Sequence, residues 1–174
     1  LRLAISGNHN FAGGNSALYS NWGGDDNIVL GRGSLCKNTT GFENIVLGRE
    51  AMQCNVTGYG NIAIGYNAAQ CTTGTQNMAI GYSAMHHNCA GVGNTAIGRH
   101  SMFGSAAGHE GSYTTAIGYN AAQAGSAGYN VAIGDHAMCA NTGGTFNIAI
   151  GHLAMAASSA GSNIAIGSHV LCNS

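Results

Sequence analysis

Hydrophobic residues recur along the chain in short alternating clusters, each of which ends in a glycine. The segment NIAIGYNAAQ at 61–70 returns as TAIGYNAAQ at 115–123. We use the glycine that ends each cluster as the marker of a repeat unit. The markers are Gly14, Gly31, Gly48, Gly65, Gly81, Gly98, Gly118, Gly134, Gly151 and Gly167. Their spacing is 16 or 17 residues except for one interval of 20, which predicts a solenoid of ten coils.

The three residues before each marker predict a short strand. Large aliphatic residues dominate the first and third of these positions, as at Ile62 and Ile64, and a small residue lies between them. This period of two is typical of a strand with one buried face. A unit of about 17 residues is too short for a helix, a strand and their turns, so we expect two short strands and two bends per coil. The predicted fold class is all-β, a parallel β-roll or β-helix solenoid over residues 10–172 after a lead-in of residues 1–9.

The small residue at the centre of each strand leads to a prediction about assembly. If the large neighbours point into the coil, this side chain must point away from it. A row of small apolar side chains on a solvent face is the kind of exposed stripe that monomers avoid. We therefore expect other copies of the chain to cover this contact column. Its members are Val29, Val46, Ala63, Ala79, Ala96, Ala116, Ala132, Ala149 and Ala165.

Two further columns complete the interpretation of the coil. Four residues after the marker lie five of the six methionines, which we interpret as flexible core filler in preference to ligands. Four residues before the marker, an asparagine occurs in nine of the ten coils, and Thr114 takes its place in the other. Coils stacked at about 4.8 Å would let each amide bond to the ones above and below. The pattern therefore predicts an asparagine ladder.

Composition excludes several classes of function. Only 6% of the residues are charged and the net charge is −1, which offers no basic surface to a nucleic acid. No apolar run approaches the roughly 20 residues of a membrane span. The six acidic residues are dispersed, and the adjacent Asp25 and Asp26 would diverge, so no acid/base pair is visible. We expect no enzyme activity, no cofactor, no nucleic-acid partner and no membrane insertion.

The block Asn-(Ile/Val/Thr)-Ala-Ile-Gly-x-x-Ala resembles known repeats over residues 10–171. It is similar to the head repeats of trimeric autotransporter adhesins and, more closely, to the Asn-Thr-Ala-Ile-Gly-Tyr-x-Ala repeats of phage tail fibre proteins. The unit is longer than in the adhesin heads, which favours the phage proteins. The resemblance implies a left-handed solenoid, a homotrimer, and a virion fibre that attaches to a host cell. It also implies other tail-fibre proteins and a host cell-surface glycan or protein as partners, with the bacterial cell surface as the alternative location.

The cysteines are candidates for disulfides. They are Cys36, Cys54, Cys71, Cys89, Cys139 and Cys172. The first four recur every 17 or 18 residues, so adjacent coils would bring their Cα atoms within the roughly 4.4–6.8 Å that a disulfide requires. The last two lie two coils apart, about 10 Å, and would stay reduced or bond across chains. The alternative is that all six are small, buried apolar residues.

Three histidines and one long interval are the remaining candidates for chemistry. His100, His136 and His169 each lie two residues after a marker, where copies around a threefold axis would meet at one metal ion. No metal-binding motif accompanies them, so ordinary polar or packed histidines are favoured and no metal is predicted. The interval of 20 residues predicts an outward loop, either a receptor contact or a tolerated bulge. The loop candidates are Phe103, His109, Glu110 and Tyr113.

Two other patterns leave a second function open. Several tyrosines would stack on sugars or pack between chains: Tyr59, Tyr66, Tyr82, Tyr119 and Tyr129. Low charge, abundant alanine and threonine, and regular cysteines also suit an ice-binding solenoid. Ice binding requires a flat array of threonines, and the threonines of this chain form no uninterrupted column. A fibre function is therefore favoured.

Overall fold

The computed structural model describes residues 7–104, 111–124, 127–157 and 160–172. Within them, ten three-residue strands form one sheet in sequence order, and every neighbouring pair is parallel. The predicted all-β parallel solenoid is thus confirmed. The strands are β1 (Phe11–Gly13), β2 (Ile28–Leu30), β3 (Ile45–Leu47), β4 (Ile62–Ile64), β5 (Met78–Ile80), β6 (Thr95–Ile97), β7 (Thr115–Ile117), β8 (Val131–Ile133), β9 (Ile148–Ile150) and β10 (Ile164–Ile166).

The pairing register follows the marker glycines through the whole sheet. Ile45 pairs with Ile62 across an ordinary interval. Ala96 pairs with Ala116 across the long one, in the same relative position. The extra residues between β6 and β7 therefore leave the ladder undisturbed.

Each coil contains one strand in the described residues, and the expectation of two is wrong. The residues two and four positions after the marker have positive φ, for example 58° at Glu50 and 47° at Met52. These values belong to the left-handed region, outside the range of a strand. The segment still bonds to adjacent coils: Glu50 N donates to Arg32 O at 2.9 Å, and Met52 N donates to Ala68 O at 3.0 Å. The second wall of the coil, which we call the turn wall, is therefore a hydrogen-bonded run of turns.

The central residue of each strand points into the coil, so the predicted contact column is wrong. In the single chain, all nine of its members are 0% exposed: Val29, Val46, Ala63, Ala79, Ala96, Ala116, Ala132, Ala149 and Ala165. They belong to one core cluster together with the buried residues of the turn wall. That wall contributes the larger side chains, including Leu35, Met52 and Met85. Because these side chains fill the interior at close-packed density, small residues fit on the strand side.

The predicted asparagine ladder is confirmed. Asn44 Oδ1 accepts hydrogen bonds from Asn61 N at 3.0 Å and from Asn61 Nδ2 at 3.1 Å. Asn44 Nδ2 donates to the Gly58 carbonyl at 3.0 Å. Side-chain amides thus satisfy backbone groups that the corner of the coil buries away from water.

A second column of buried polar residues was missed from the sequence. It lies seven residues after the marker, and Asn38 Nδ2 there donates to the Gly41 carbonyl at 2.9 Å. The constant interval of seven residues between the marker and a polar residue could have revealed this column in the sequence. The buried members are Asn21, Asn38, Asn55, Thr72, Asn88 and Asn141.

Candidate assembly interface

The outward side of the ten-stranded sheet is mostly aliphatic. The first and third residues of the strands point away from the core, and none of them is buried. Exposure reaches 43% at Ile28 and 67% at Ile164. We call this surface the strand face. It consists of Phe11, Ile28, Leu30, Ile45, Leu47, Ile62, Ile64, Met78, Ile80, Thr95, Ile97, Thr115, Ile117, Val131, Ile133, Ile148, Ile150, Ile164 and Ile166.

The strand face is long and uncharged. At about 4.8 Å per coil it extends over about 45 Å. Two columns of side chains run along it, and no charged residue interrupts them. Contiguous apolar patches of this extent on soluble proteins mark interaction sites. The exposed stripe foreseen in the sequence therefore exists, but the large residues form it instead of the alanines.

A row of arginines and tyrosines follows the strand face on its C-terminal side. We define this trailing ridge as the residues directly after the markers. They are Asn15, Arg32, Arg49, Tyr66, Tyr82, Arg99, Tyr119, Asp135, His152 and Ser168. The Arg49 guanidinium lies 5.5 Å from the centre of the Tyr66 ring, and that of Arg99 lies 5.5 Å from the Tyr82 ring and 5.7 Å from the Tyr119 ring. These cation–π contacts hold side chains of successive coils together.

A second row precedes the strand face on its N-terminal side. We define this leading ridge as the residues directly before the ladder positions. They are His9, Asp26, Glu43, Gly60, Gln76, Gly93, Tyr113, Tyr129, Phe146 and Ser162. The rings of Tyr113 and Tyr129 stack at 5.3 Å, and those of Tyr129 and Phe146 at 5.0 Å. Asp26 and Glu43 give this ridge two exposed carboxylates.

Two of the four loop candidates, Phe103 and Tyr113, belong to different aromatic groups. Phe103 lies in the turn wall, stacked on His86 at 5.1 Å and in contact with His100 at the same ring distance. Tyr113 lies on the leading ridge. His109 and Glu110 lie outside the described residues.

The histidines do not form a metal centre in the described parts of the chain, where no group of three or more metal-binding side chains occurs. His100 contacts Tyr82 and Phe103. His136 bonds to Asp135 at 2.6 Å. His169 lies beside Ser168.

The turn wall holds one strongly perturbed histidine. Burial lowers the pKa of His86 to about 4, and the nearby His87 and His100 add to this effect. Its Nδ1 atom is buried without a hydrogen-bond partner. His86 is therefore neutral in the folded protein near pH 6, where an unfolded chain already binds the proton.

We expect stability to fall as the pH drops from about 6.5 to about 4, because protons bind the unfolded chain first in this range. The imidazole is partly exposed, so we expect a loss of about 1 kcal/mol, well below what the full pKa shift would give. Urea denaturation at pH 7, 5.5 and 4.5 measures it. His86→Phe is expected to flatten this dependence, whereas the control His9→Phe changes an exposed ring. Equal pH dependence in wild type and His86→Phe would contradict the assignment.

Within the single chain all six cysteines are free thiols, so no disulfide joins adjacent coils. Cys54 and Cys71 both lie six residues after a marker, whereas Cys36 lies one position earlier and Cys89 two positions later in its coil. Although these cysteines recur at nearly regular intervals, Cys36 and Cys89 therefore lie in different columns from Cys54 and Cys71. Burial, together with the neighbouring Cys54, raises the pKa of Cys71 to about 11, and burial also raises the pKa of Cys36 and Cys139. These three thiols are therefore protonated and weakly reactive at neutral pH.

Comparison with protein-family models, with curated proteins and with solved structures found no match to this chain. The described parts of the chain contain no helix with the length and apolar character needed to cross a membrane.

Proposed function

We propose that this chain is a structural and adhesive segment of a phage tail fibre, carried on the virion as a homotrimer of parallel rods. The observation that carries the proposal is the strand face, none of whose residues is buried in the single chain and which is most exposed towards the two ends of the sheet. Three copies around a common axis would bury three such faces together. The Asn-x-Ala-Ile-Gly repeats, which resemble those of tail fibre proteins, supply the second support.

The residues proposed to meet between chains are those of the strand face. Obligate interfaces are larger and more apolar than transient ones, and an uncharged surface on every strand has both properties. The three-residue strands present a similar surface in most coils. A partner with the same repeat would match it along the full length of the rod.

Host attachment is proposed at the segment between β6 and β7. The strands on either side of it stay in register, so the insertion does not interrupt the sheet, and solenoids commonly carry binding loops at such insertions. A host cell-surface glycan or protein is the proposed ligand, and other tail fibre proteins are the proposed neighbours on the virion.

A lysine on the strand face is expected to dissociate the assembly, because three copies would bring three ammonium groups into an apolar interface. Ile45→Lys is the test and Val56→Lys is its matched control. Ile45 is 37% exposed and Val56 is 40% exposed. Val56 lies eight residues after the marker Gly48, past the turn wall, and is not part of the strand face. Light scattering is expected to give three times 17.5 kDa for the wild type and the control, and a smaller mass for Ile45→Lys. A wild-type mass of 17.5 kDa would contradict the proposal.

Immunogold electron microscopy tests the location. Antibodies against the purified protein are expected to label the tail fibres of phage particles. Labelling of bacterial cells without phage would support the adhesin alternative instead. A thermal hysteresis assay on the same preparation tests ice binding, for which we expect no activity.

A further inference from the structure

The two ridges beside the strand face carry opposite charges at the same level of the rod. In the coil of β2, the leading ridge has Asp26 and the trailing ridge has Arg32. In the coil of β3, the corresponding residues are Glu43 and Arg49. All four are exposed. In these two coils the negative charges thus lie on the leading side of the strand face and the positive charges on its trailing side.

These four residues do not pair with each other within the chain. The strand lies between the two ridges, and the ion pairs among the described residues each stay within a single ridge or coil. Asp26 contacts His9 at 3.2 Å, and Arg49 contacts Glu50 at 3.1 Å. Each ridge therefore presents its charges outward, next to a surface proposed to meet another copy.

The other coils are compatible with contact between the two ridges. No coil places charges of the same sign on both its leading and its trailing ridge, counting His9 and His152 as neutral. From β4 to β9 the leading and trailing residues of the same coil are Gly60 and Tyr66, Gln76 and Tyr82, Gly93 and Arg99, Tyr113 and Tyr119, Tyr129 and Asp135, and Phe146 and His152. In each of these six coils, a small, polar or aromatic leading residue would thus face an aromatic or charged trailing residue.

Symmetry determines which ridges meet. Rotation about an axis parallel to the rods brings the trailing ridge of one copy to the leading ridge of the next, at the same height, and the ring closes after two or three copies. An antiparallel pair instead brings each ridge against its own kind. Complementary charge on unlike ridges therefore favours parallel chains.

We propose that Asp26 and Glu43 of each copy pair with Arg32 and Arg49 of the next copy, and that these pairs set the orientation and register of the assembly. The inference rests on the proposed function, in which copies meet through the strand face. That face is nearly the same in every coil, so it distinguishes poorly between registers. A shift by one coil keeps one of the two pairs, and a shift by two coils keeps neither. Charges at such positions contribute more to specificity than to affinity.

Charge reversal tests the pairing. We expect Arg32→Glu with Arg49→Glu to weaken association about tenfold or more in low salt, because both pairs become repulsive in every interface. Asp26→Arg with Glu43→Arg is expected to have the same effect. The variant with all four changes is expected to recover wild-type association. Lys37→Glu is the control, since it reverses an exposed charge in the coil of β2 on the turn wall. Sedimentation velocity at increasing salt measures the trimer fraction, and circular dichroism checks folding.

Carbodiimide crosslinking tests the orientation. In the variant Arg49→Lys, the new amine is expected to link to Glu43 of another copy, which mass spectrometry of mixed isotope-labelled chains would identify. A dominant interchain link to Asp135 would overturn the parallel arrangement, because it requires like ridges to meet.

The outcomes separate this inference from the proposed function. A wild type that is a monomer contradicts the assembly itself. A trimeric wild type whose association is unchanged by either double reversal, or is not recovered by the fourfold change, overturns the pairing and leaves the trimer intact.

Discussion

Replacing Gly65 with alanine is expected to lower the free energy of unfolding by roughly 4 kcal/mol or more, a range that point substitutions reach through a steric clash or a strained backbone. The φ angle of Gly65 is 134°, in a region that residues with a Cβ atom rarely adopt. The added Cβ would meet the carbonyl oxygen of Gly81 and lie 2.8 Å from its carbonyl carbon. Gly81 has little freedom to withdraw, because its N–H donates to Ile64 O at 2.8 Å.

Gly60→Ala is the matched control, at another corner of the coil five residues before Gly65. Its φ of 65° lies in the left-handed region, and the nearest atom to an added Cβ is Gln76 Cγ at 3.7 Å. The equivalent positions in other coils hold Asp26 and Glu43, each with a φ of 55°. We therefore expect a change of about 1 kcal/mol. Urea denaturation followed by circular dichroism measures both variants, and equal destabilisation would refute the clash argument.

Replacing Asn44 with alanine is expected to cost about 3 kcal/mol, through an unsatisfied buried donor and a small cavity. Asn44 is 0% exposed. Alanine would leave the backbone N–H of Asn61, which donates to Asn44 Oδ1 at 3.0 Å, without its acceptor. It would also remove one of the two amides that donate to the Gly58 carbonyl, the other being that of Asn55. The same denaturation experiment measures the loss.

Asn44→Thr separates the hydrogen bond from the side-chain volume. Thr114 occupies the ladder in the native chain, and its hydroxyl accepts from Asn130 N at 3.4 Å. Threonine at position 44 is therefore expected to recover part of the stability that alanine loses. A threonine variant as unstable as the alanine variant would show that the ladder hydrogen bond contributes little.

The repeat spacing was sufficient to predict most of the backbone arrangement. Equivalent residues one unit apart, such as Ile45 and Ile62, pair in parallel as their spacing requires. The ladder asparagines were also predictable, since an amide recurring at one position needs a partner above and below. The turn wall was not predictable in the same way. Its left-handed residues include Met52 and Glu50, and these residue types do not indicate positive φ.

The sequence predicted an outward-facing apolar column on the strands, but that column was assigned to the wrong residues. Alternation in a three-residue strand shows that two faces differ, but it does not say which one is inside. The usual rule that the larger residues are buried placed isoleucines such as Ile64 in the core. The structure places Ala63 there instead, at 0% exposure.

The sequence by itself determined the number of coils, the parallel register and the columns in which residues stack, because a regular repeat leaves one way to align equivalent positions. Only the tertiary structure decided which column faces inward. Burial on a strand depends on what lies across the coil, and in this protein the opposite wall already fills the interior with leucine and methionine side chains such as Leu35 and Met85. The space left on the strand side accepts alanine, so the isoleucines lie on the outer surface.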